Sequence, residues 1–187
     1  MTETPPHNRM RVGADAAIIR ANIDHLSTIR YVHAQSLRAA VLGWAGEKLA
    51  QAYVDLAYSA RYAQSIERAI AADRCFAAMI DRQIIGTCGW SPMEDNSPIA
   101  RIRWCHVLPM FGRVGIGGKL LATAEAAAAS EGYSTFIARA TPHAVKFFET
   151  AGYGVTAHGT LTIGNNETVP VTYLRRSLHA PASAPLI

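Results

Sequence analysis

The sequence predicts an α/β fold in which one mixed sheet is covered by helices on both faces. Three observations point there. Short apolar runs bounded by turn-forming residues, Cys75–Ile80 and Ile84–Trp90, have strand length. The Ala/Leu-rich stretch from Gly115 to Ser130 favours helix throughout. The element order (one strand, two or three helices, three strands, helix, strand, helix, two strands) suits a mixed sheet with helices on either side.

The elements follow in order. Residues 1–15, with Pro5, Pro6, Gly13 and no periodicity, read as a flexible tail, and so does the Ala/Pro-rich end, residues 179–187. A single domain, residues 16–178, is expected between them. Ala17–Ile23 reads as the first strand, and Asp24 can cap the helix that follows. Leu26, Ile29, Val32, Leu37 and Ala40 lie close to one helical stripe, with His25, Arg30, Gln35 and Arg38 opposite. Gly43 and Gly46 interrupt it around Trp44. Helix resumes over Glu47–Ala57, and Ser59 caps a third stretch, Ala60–Ala72. Asp81-Arg82-Gln83 turns the two apolar runs into a hairpin. Ser91–Pro98 is a polar turn in which Glu94 and Asp95 read as solvated. Ile99–Leu108 is the next strand, Gly115–Ser130 a helix, and Ser134–Ala140 a strand. Thr141 and Pro142 open a short helix that stops at Gly152. Tyr153–Ala157 and Val169–Arg176 close the chain as strands.

Composition excludes several classes. Half of the 187 residues are hydrophobic and 17% are charged, which suits a folded domain. No apolar run approaches the ~18 residues of a membrane helix. The first residues, MTETPPHNRMRVGADA, have no apolar leader core, so a cytoplasmic address is expected. Cys75, Cys88 and Cys105 are too scattered for a disulfide framework or a CxxC site and read as small buried hydrophobes. No zinc spacing is present and no metal is expected. The net charge of +4 comes from scattered residues, 15 Arg and 3 Lys against 14 acids. Nucleic-acid binding is not expected from that pattern. A modest positive field also suits a cofactor with several phosphates.

The informative run is Val107–Leu121, VLPMFGRVGIGGKLL. A strand ends near Pro109, a glycine-rich loop follows, and a helix opens inside the loop. A helix start presents about four unpaired backbone N–H groups at the positive end of its dipole. Gly115, Gly117 and Gly118 remove the side chains that would keep a phosphate away, and Arg113 adds charge at the rim. The P-loop pattern fails in both registers: from Gly112, Gly118 takes the lysine position, and the pair Gly118-Lys119 would need a glycine at Arg113. The dinucleotide pattern fails because Leu120 stands where its last glycine belongs.

The run Gly112-Arg113-Val114-Gly115-Ile116-Gly117 resembles the acyl-CoA loop of the GNAT superfamily of N-acetyltransferases, Gln/Arg-x-x-Gly-x-Gly/Ala. Val107-Leu108-Pro109 is similar to that family's V-x-P at the end of its fourth strand. Ala144-Val145-Lys146-Phe147-Phe148 through Gly152-Tyr153 is similar to its later A-x-x-F-Y/F-x-x-x-G-F/Y element, and Gly86–Trp90 resembles its third strand. The likeness runs from Ala17 to Leu178. It implies a sheet splayed between strands 4 and 5, with acetyl-CoA filling the gap as co-substrate. Cys105, His106, Val107 and Leu108 would meet the pantetheine arm and thioester. Gly112 to Gly118, through Val114 and Ile116, would hold the pyrophosphate, with Lys119 nearby. Ala144, Phe147 and Phe148 would line the channel beside the thiol. The acceptor pocket would be built near Trp44, Tyr53, Tyr62 and Trp90. The partner is a small-molecule or peptide amine, and a homodimer is left open.

Three positions depart from the resemblance. Arg101 stands where many relatives carry a glutamate base, Phe148 where many carry a tyrosine acid, and Gly112 where the loop opens with Gln/Arg. The catalytic groups are therefore open. His106, which strand alternation turns away from Cys105 and Val107, is the remaining candidate. Cys105 lacks an adjacent base, and Tyr153 reads as a packing residue. The implied activity is N-acetylation of an amine. The alternative is a non-catalytic acyl-CoA-binding module acting as a sensor or partner protein.

Overall fold

In the computed structural model, which describes residues 15–93, 97–164 and 167–178, the chain forms β1 (Ala17–Arg20), α1 (Leu26–Tyr58), α2 (Ala60–Ala71), β2 (Cys75–Ile80), β3 (Gln83–Pro92), β4 (Ile99–Val107), α3 (Ile116–Ser130), β5 (Thr135–Ala140), α4 (Pro142–Thr150), β6 (Gly154–Ile163) and β7 (Glu167–Ser177). Glu94 and Asp95 lie outside the described residues, as do the expected tails apart from Asp15. The seven strands form one sheet in the order β1-β2-β3-β4-β5-β7-β6. All neighbours are antiparallel except β4 and β5. The helix between those two, α3, makes the crossover that a parallel pair requires.

Three apolar clusters hold the layers. On one face, Ile116, Leu120, Leu121, Ala124 and Ala128 of α3 pack onto Phe76, Ile85, Ile102, Phe136 and Ala138 of the sheet. On the other face, Ile29 and Val32 of α1 with Ile66, Ala69 and Ile70 of α2 cover Cys75, Ala77, Ile84 and Trp104. The rest of α1 packs Leu37, Val41, Leu49 and Tyr53 against Ile163, Val169 and Val171 of the β6–β7 hairpin. Helix α1 therefore spans both halves of the sheet.

Several boundaries differ from the sequence reading, among them β6, which runs to Ile163 rather than Ala157, and β3, which takes in Ser91 and Pro92 of the expected turn. The first strand stops at Arg20, and Ile23–His25 form a 3-10 turn in which the Asn22 amide donates to His25 Nδ1 (3.1 Å), so Asn22 rather than Asp24 caps it. The expected break at Gly43–Gly46 is a kink within one 33-residue helical element; Gly46 alone leaves helical geometry, at φ 78° and ψ 179°. Gly43 stays helical because one glycine in a helix interior costs only about 1 kcal/mol, and Val41 and Leu49 on either side are anchored in the core. Ser59 caps α2, accepting from the Tyr62 amide (3.3 Å).

Candidate active site

β4 and β5 pair over only three positions, Ile99 with Thr135, Ala100 with Phe136 and Arg101 with Ile137. Beyond Arg101, β4 continues along β3, whereas β5 continues along β7. The sheet opens there into a cleft. Its β4 wall carries a bulge: the register with β3 shifts between Thr87 and Gly89, and Trp104 sits at φ 54°. A bulge changes which face later side chains occupy. Ala100 and Ile102 face the α3 core, but Trp104 packs beneath α1 and α2. Cys105 and Val107 return to the α3 side, and His106 points towards α1, where its ring lies 4.5 Å from that of His33. The Leu108 amide donates to Ile85 O across β3 (2.8 Å). Strand amides alternate in direction, so the Val107 N–H points the other way, into the cleft.

The glycine loop begins where β4 ends. Pro109–Phe111 make a 3-10 turn, Arg113 (φ 66°) and Gly115 (φ 88°) adopt left-handed backbone, and α3 starts at Ile116. Lys119 N donates to Gly115 O (3.1 Å) as the first helical bond. The amides of Ile116, Gly117 and Gly118 thus have no partner inside the helix. A Cβ on Gly115 or Gly118 would meet nothing within 4 Å, whereas one on Gly117 would lie 3.2 Å from the Phe147 ring and 3.8 Å from Val107 Cγ2. The strand end, the loop and α4 meet at that point. The open amide cradle has the donors and space for a phosphate-bearing ligand. Ala144 and Phe147 are half-buried beside it. Phe148 turns inward instead: it is 6% exposed, with ring centroids 5.1 Å from Phe147 and 5.3 Å from Tyr153. The Tyr153 hydroxyl donates to Glu125 on α3 (2.6 Å), whose other oxygen accepts from Arg176. That tie makes Tyr153 structural.

Behind His106 lies a closed hydrogen-bond chain. Thr87 Oγ1 donates to Trp104 O (2.7 Å), so it accepts from His33 Nε2 (2.6 Å), and His33 Nδ1 accepts from the Tyr62 hydroxyl (3.0 Å). This set fixes His33 as the neutral Nε2–H tautomer. Burial, and then the neighbouring His106, hold its pKa well below the usual histidine value. Burial, with His143 of α4 adding repulsion, lowers His106 to about 4. His33 is thus fully committed to its partners, while the half-buried His106 ring has no hydrogen-bond partner among the described residues. Of the thiols, Cys75 and Cys88 are buried and Cys105 is half-buried; burial pushes Cys75 up to about 12.

Between the splayed strands lies a cavity of about 480 Å³ lined by Arg101, Arg103 and Trp104 of β4, Ile137 and Arg139 of β5, Tyr62, Thr156 and Tyr173. Of the four aromatics expected at an acceptor pocket, Tyr62 lines this cavity. Tyr53 is buried with an unpartnered hydroxyl and feels the charge of Arg139. Trp44 is exposed on α1, and Trp90 lies in the core, packed on Tyr133 (5.0 Å) and under Arg74 (4.5 Å). The sequence reading passed over His33, Thr87, Arg103 and Arg139. One signal was present for His33, a polar residue beside Val32 on the apolar stripe; another was the alternation of Arg101 and Arg103 with apolar neighbours. Among the described residues no three His, Cys, Asp or Glu side chains are grouped to hold a metal, and no helix is long and apolar enough to cross a membrane.

Comparison with known proteins bears on this arrangement. The fold is similar to the GCN5-related N-acetyltransferase of Rhodopseudomonas palustris (TM-score 0.72, 17% identity, 87% of this chain and 96% of that one). It is similar to PaiA N-acetyltransferase of Thermoplasma acidophilum, solved in complex with coenzyme A (0.69, 17%, 87% and 98%). It also resembles the ribosomal-protein-alanine N-acetyltransferase of Brucella melitensis (0.64, 16%, 87% and 99%). At these identities the likeness is one of fold. Comparison with curated proteins finds no match. Residues 41–153, more than half of the chain, match the Acetyltransferase (GNAT) family, and that span holds the bulged β4, the glycine loop and the α4 element. A splayed mixed sheet with an amide cradle at the end of its fourth strand is what this match leads one to expect, and the chain belongs to the GNAT acetyltransferase family.

Proposed function

We propose that the protein transfers the acetyl group of acetyl-CoA to a primary amine of a small molecule or peptide, and that residues 16–178 are the unit that does so, in the cytoplasm. The observation that carries this reading is the meeting of the unpaired α3 amides, Val107 and Phe147 at one end of a cleft whose other end holds an open cavity. Acetyl-CoA supplies a carbonyl activated as a thioester. The loop Gly112–Gly118 holds its pyrophosphate through the free amides, with Arg113 and Lys119 adding charge. The Val107 N–H, aimed into the cleft, stabilises negative charge developing on the carbonyl oxygen; a preorganised donor of this kind is worth about 3–4 kcal/mol in other enzymes.

The amine must lose a proton as it attacks. His106 takes that role: it precedes Val107, and its ring lies 4.5 Å from that of His33, tilted by 47°, with His33 held by Thr87 and Tyr62. Its lowered pKa keeps it neutral near pH 7 but makes it a weak base, so it takes the proton only as the N–C bond forms and the amine nitrogen turns acidic. Phe148 donates no proton, so the thiolate leaves without a side-chain acid at that position; thiols ionise near pH 8.5, which makes this tolerable. Release of free thiol from acetyl-CoA in the presence of a panel of amines tests the reading, with amine-dependent release expected. Tight CoA binding with no release for any amine would favour the alternative, a non-catalytic acyl-CoA-binding module.

A further inference from the structure

Among the described residues, the cavity between the splayed strands is lined by three arginines and by no carboxylate. Arg101 and Arg103 leave β4 on the face opposite Ala100 and Ile102. Arg139 leaves β5 opposite Tyr173 of β7, which also lines the cavity. None of the three forms an ion pair among the described residues. Arg101 reaches Met93 Sδ (3.3 Å) beside the 94–96 turn, so the weight falls on the other two. Arg103 stacks over Trp104 (4.9 Å), partly withdrawn from water. Burial, followed by Arg101 and, more weakly, Arg139 and Arg68, disfavours its charge, with Tyr62 acting the other way. Arg103 alone is half-buried, while Arg101 and Arg139 are exposed, so the cost of like charge falls on Arg103, and an anion held beside it offsets that cost. Guanidinium groups are suited to carboxylate, which they bind through paired N–H donors.

Resting on the transferase reading above, we propose that the acceptor is an anionic amine, carrying one or two carboxylates that Arg103 and Arg139 hold while its amino group lies at the β4 end near His106 and Val107. Arg103 and His106 lie three residues apart on β4 across the bulge at Trp104, at most about 10 Å at the usual strand rise. That is the span of an amino acid with an extended side chain or of a dipeptide. Arg101, where the resemblance leads one to expect a glutamate, turns this wall from acidic to basic, so polycationic amines are disfavoured.

The test uses the full chain with CoA at saturation, so that the α3 amides are already occupied. Succinate, glutarate and L-glutamate are titrated while thermal unfolding is followed, with cadaverine as the cationic control of similar length. A saturable rise in Tm with the dicarboxylates and none with cadaverine is expected. Arg139→Gln, at an exposed position, and Arg103→Gln should each weaken the apparent affinity at least tenfold while CoA affinity is retained. No dicarboxylate effect on the wild type, or one that both variants keep unchanged, overturns the proposal. Thiol release is then measured with L-glutamate and L-aspartate against their diamides and cadaverine. Faster release with the acids, lost through a higher KM in the variants, supports it; preference for cadaverine overturns it while leaving the transferase intact. Anion binding that depends on both arginines, with no thiol release from any amine, keeps the anion site and refutes the transferase.

Discussion

His106 is the residue on which the proposed chemistry turns. Its neighbour His33 spends both nitrogens on Thr87 and Tyr62, which leaves His106 as the free imidazole at the end of β4. His106→Gln preserves volume and polarity but removes the ring's basicity. It should lower kcat by about 10²-fold or more, the usual contribution of a positioned acid or base, with KM for acetyl-CoA unchanged. Steady-state kinetics check this; an unaltered kcat would remove His106 from the mechanism. Two neighbouring residues show what the sequence does and does not disclose. Alternation turned His106 away from Cys105 and Val107, as the structure shows, because the two-residue period resumes after the bulge at Trp104. The bulge itself was not foreseen: nothing in Ile102-Arg103-Trp104 marks a non-glycine residue that takes φ 54°.

Among the elements, α1 ties the two halves of the splayed sheet together. It can do so because it kinks. Gly46, at φ 78° and ψ 179°, occupies backbone space nearly closed to other residues. Arg38 and Glu47 form an ion pair across the bend (2.6 Å), and Lys48 reaches Glu167 at the start of β7 (2.6 Å). Gly46→Ala should destabilise the fold by about 1–3 kcal/mol, the usual strain of such a conformation. Urea denaturation measures it, with Gly43→Ala, whose position is helical, expected to be neutral or stabilising; a Gly46→Ala variant as stable as Gly43→Ala would show that the kink needs no glycine. The glycines and Trp44 were legible as an interruption of the helix. Its resumption over Glu47–Ala57 was legible too; that this second half packs Leu49 and Tyr53 on the distant β6–β7 hairpin was not, because tertiary packing decides it.

For the whole molecule, two neutral histidines between α1 and the sheet, His33 buried and His106 half-buried, make stability depend on pH. His33 and His106 both titrate below their unfolded value near 6.5. Between pH 6.5 and about 4 the unfolded chain therefore binds more protons than the folded one. Stability is full above 6.5 and falls as the pH drops through that window. Urea midpoints at pH 7.5, 5.5 and 4.5 should decline in that order, less steeply in His106→Asn; a flat profile would contradict the buried, neutral assignment. At this scale the sequence disclosed much: the element order, a mixed sheet covered by helices and the glycine-rich opening of α3 all follow from local patterns of apolar period, capping and glycine spacing. The cavity between the splayed strands was hidden apart from Tyr62. Its lining comes from β4, β5, β6, β7 and α2, segments joined only by strand pairing.

The phosphate cradle at the start of α3 is the central claim, and Gly118 gives the cleanest access to it, since a side chain there meets nothing within 4 Å. Gly118→Glu sets a carboxylate in the first turn of the helix, where it suits the dipole and leaves the fold intact while competing with phosphate for the same amides. Gly118→Gln is the uncharged control. Calorimetric titration of CoA into the wild type and both variants, each shown to unfold at the wild-type temperature or above, should give tight binding to the wild type, modest weakening in Gly118→Gln, and a loss of at least tenfold beyond that in Gly118→Glu. Equal CoA affinity in all three proteins would contradict the account.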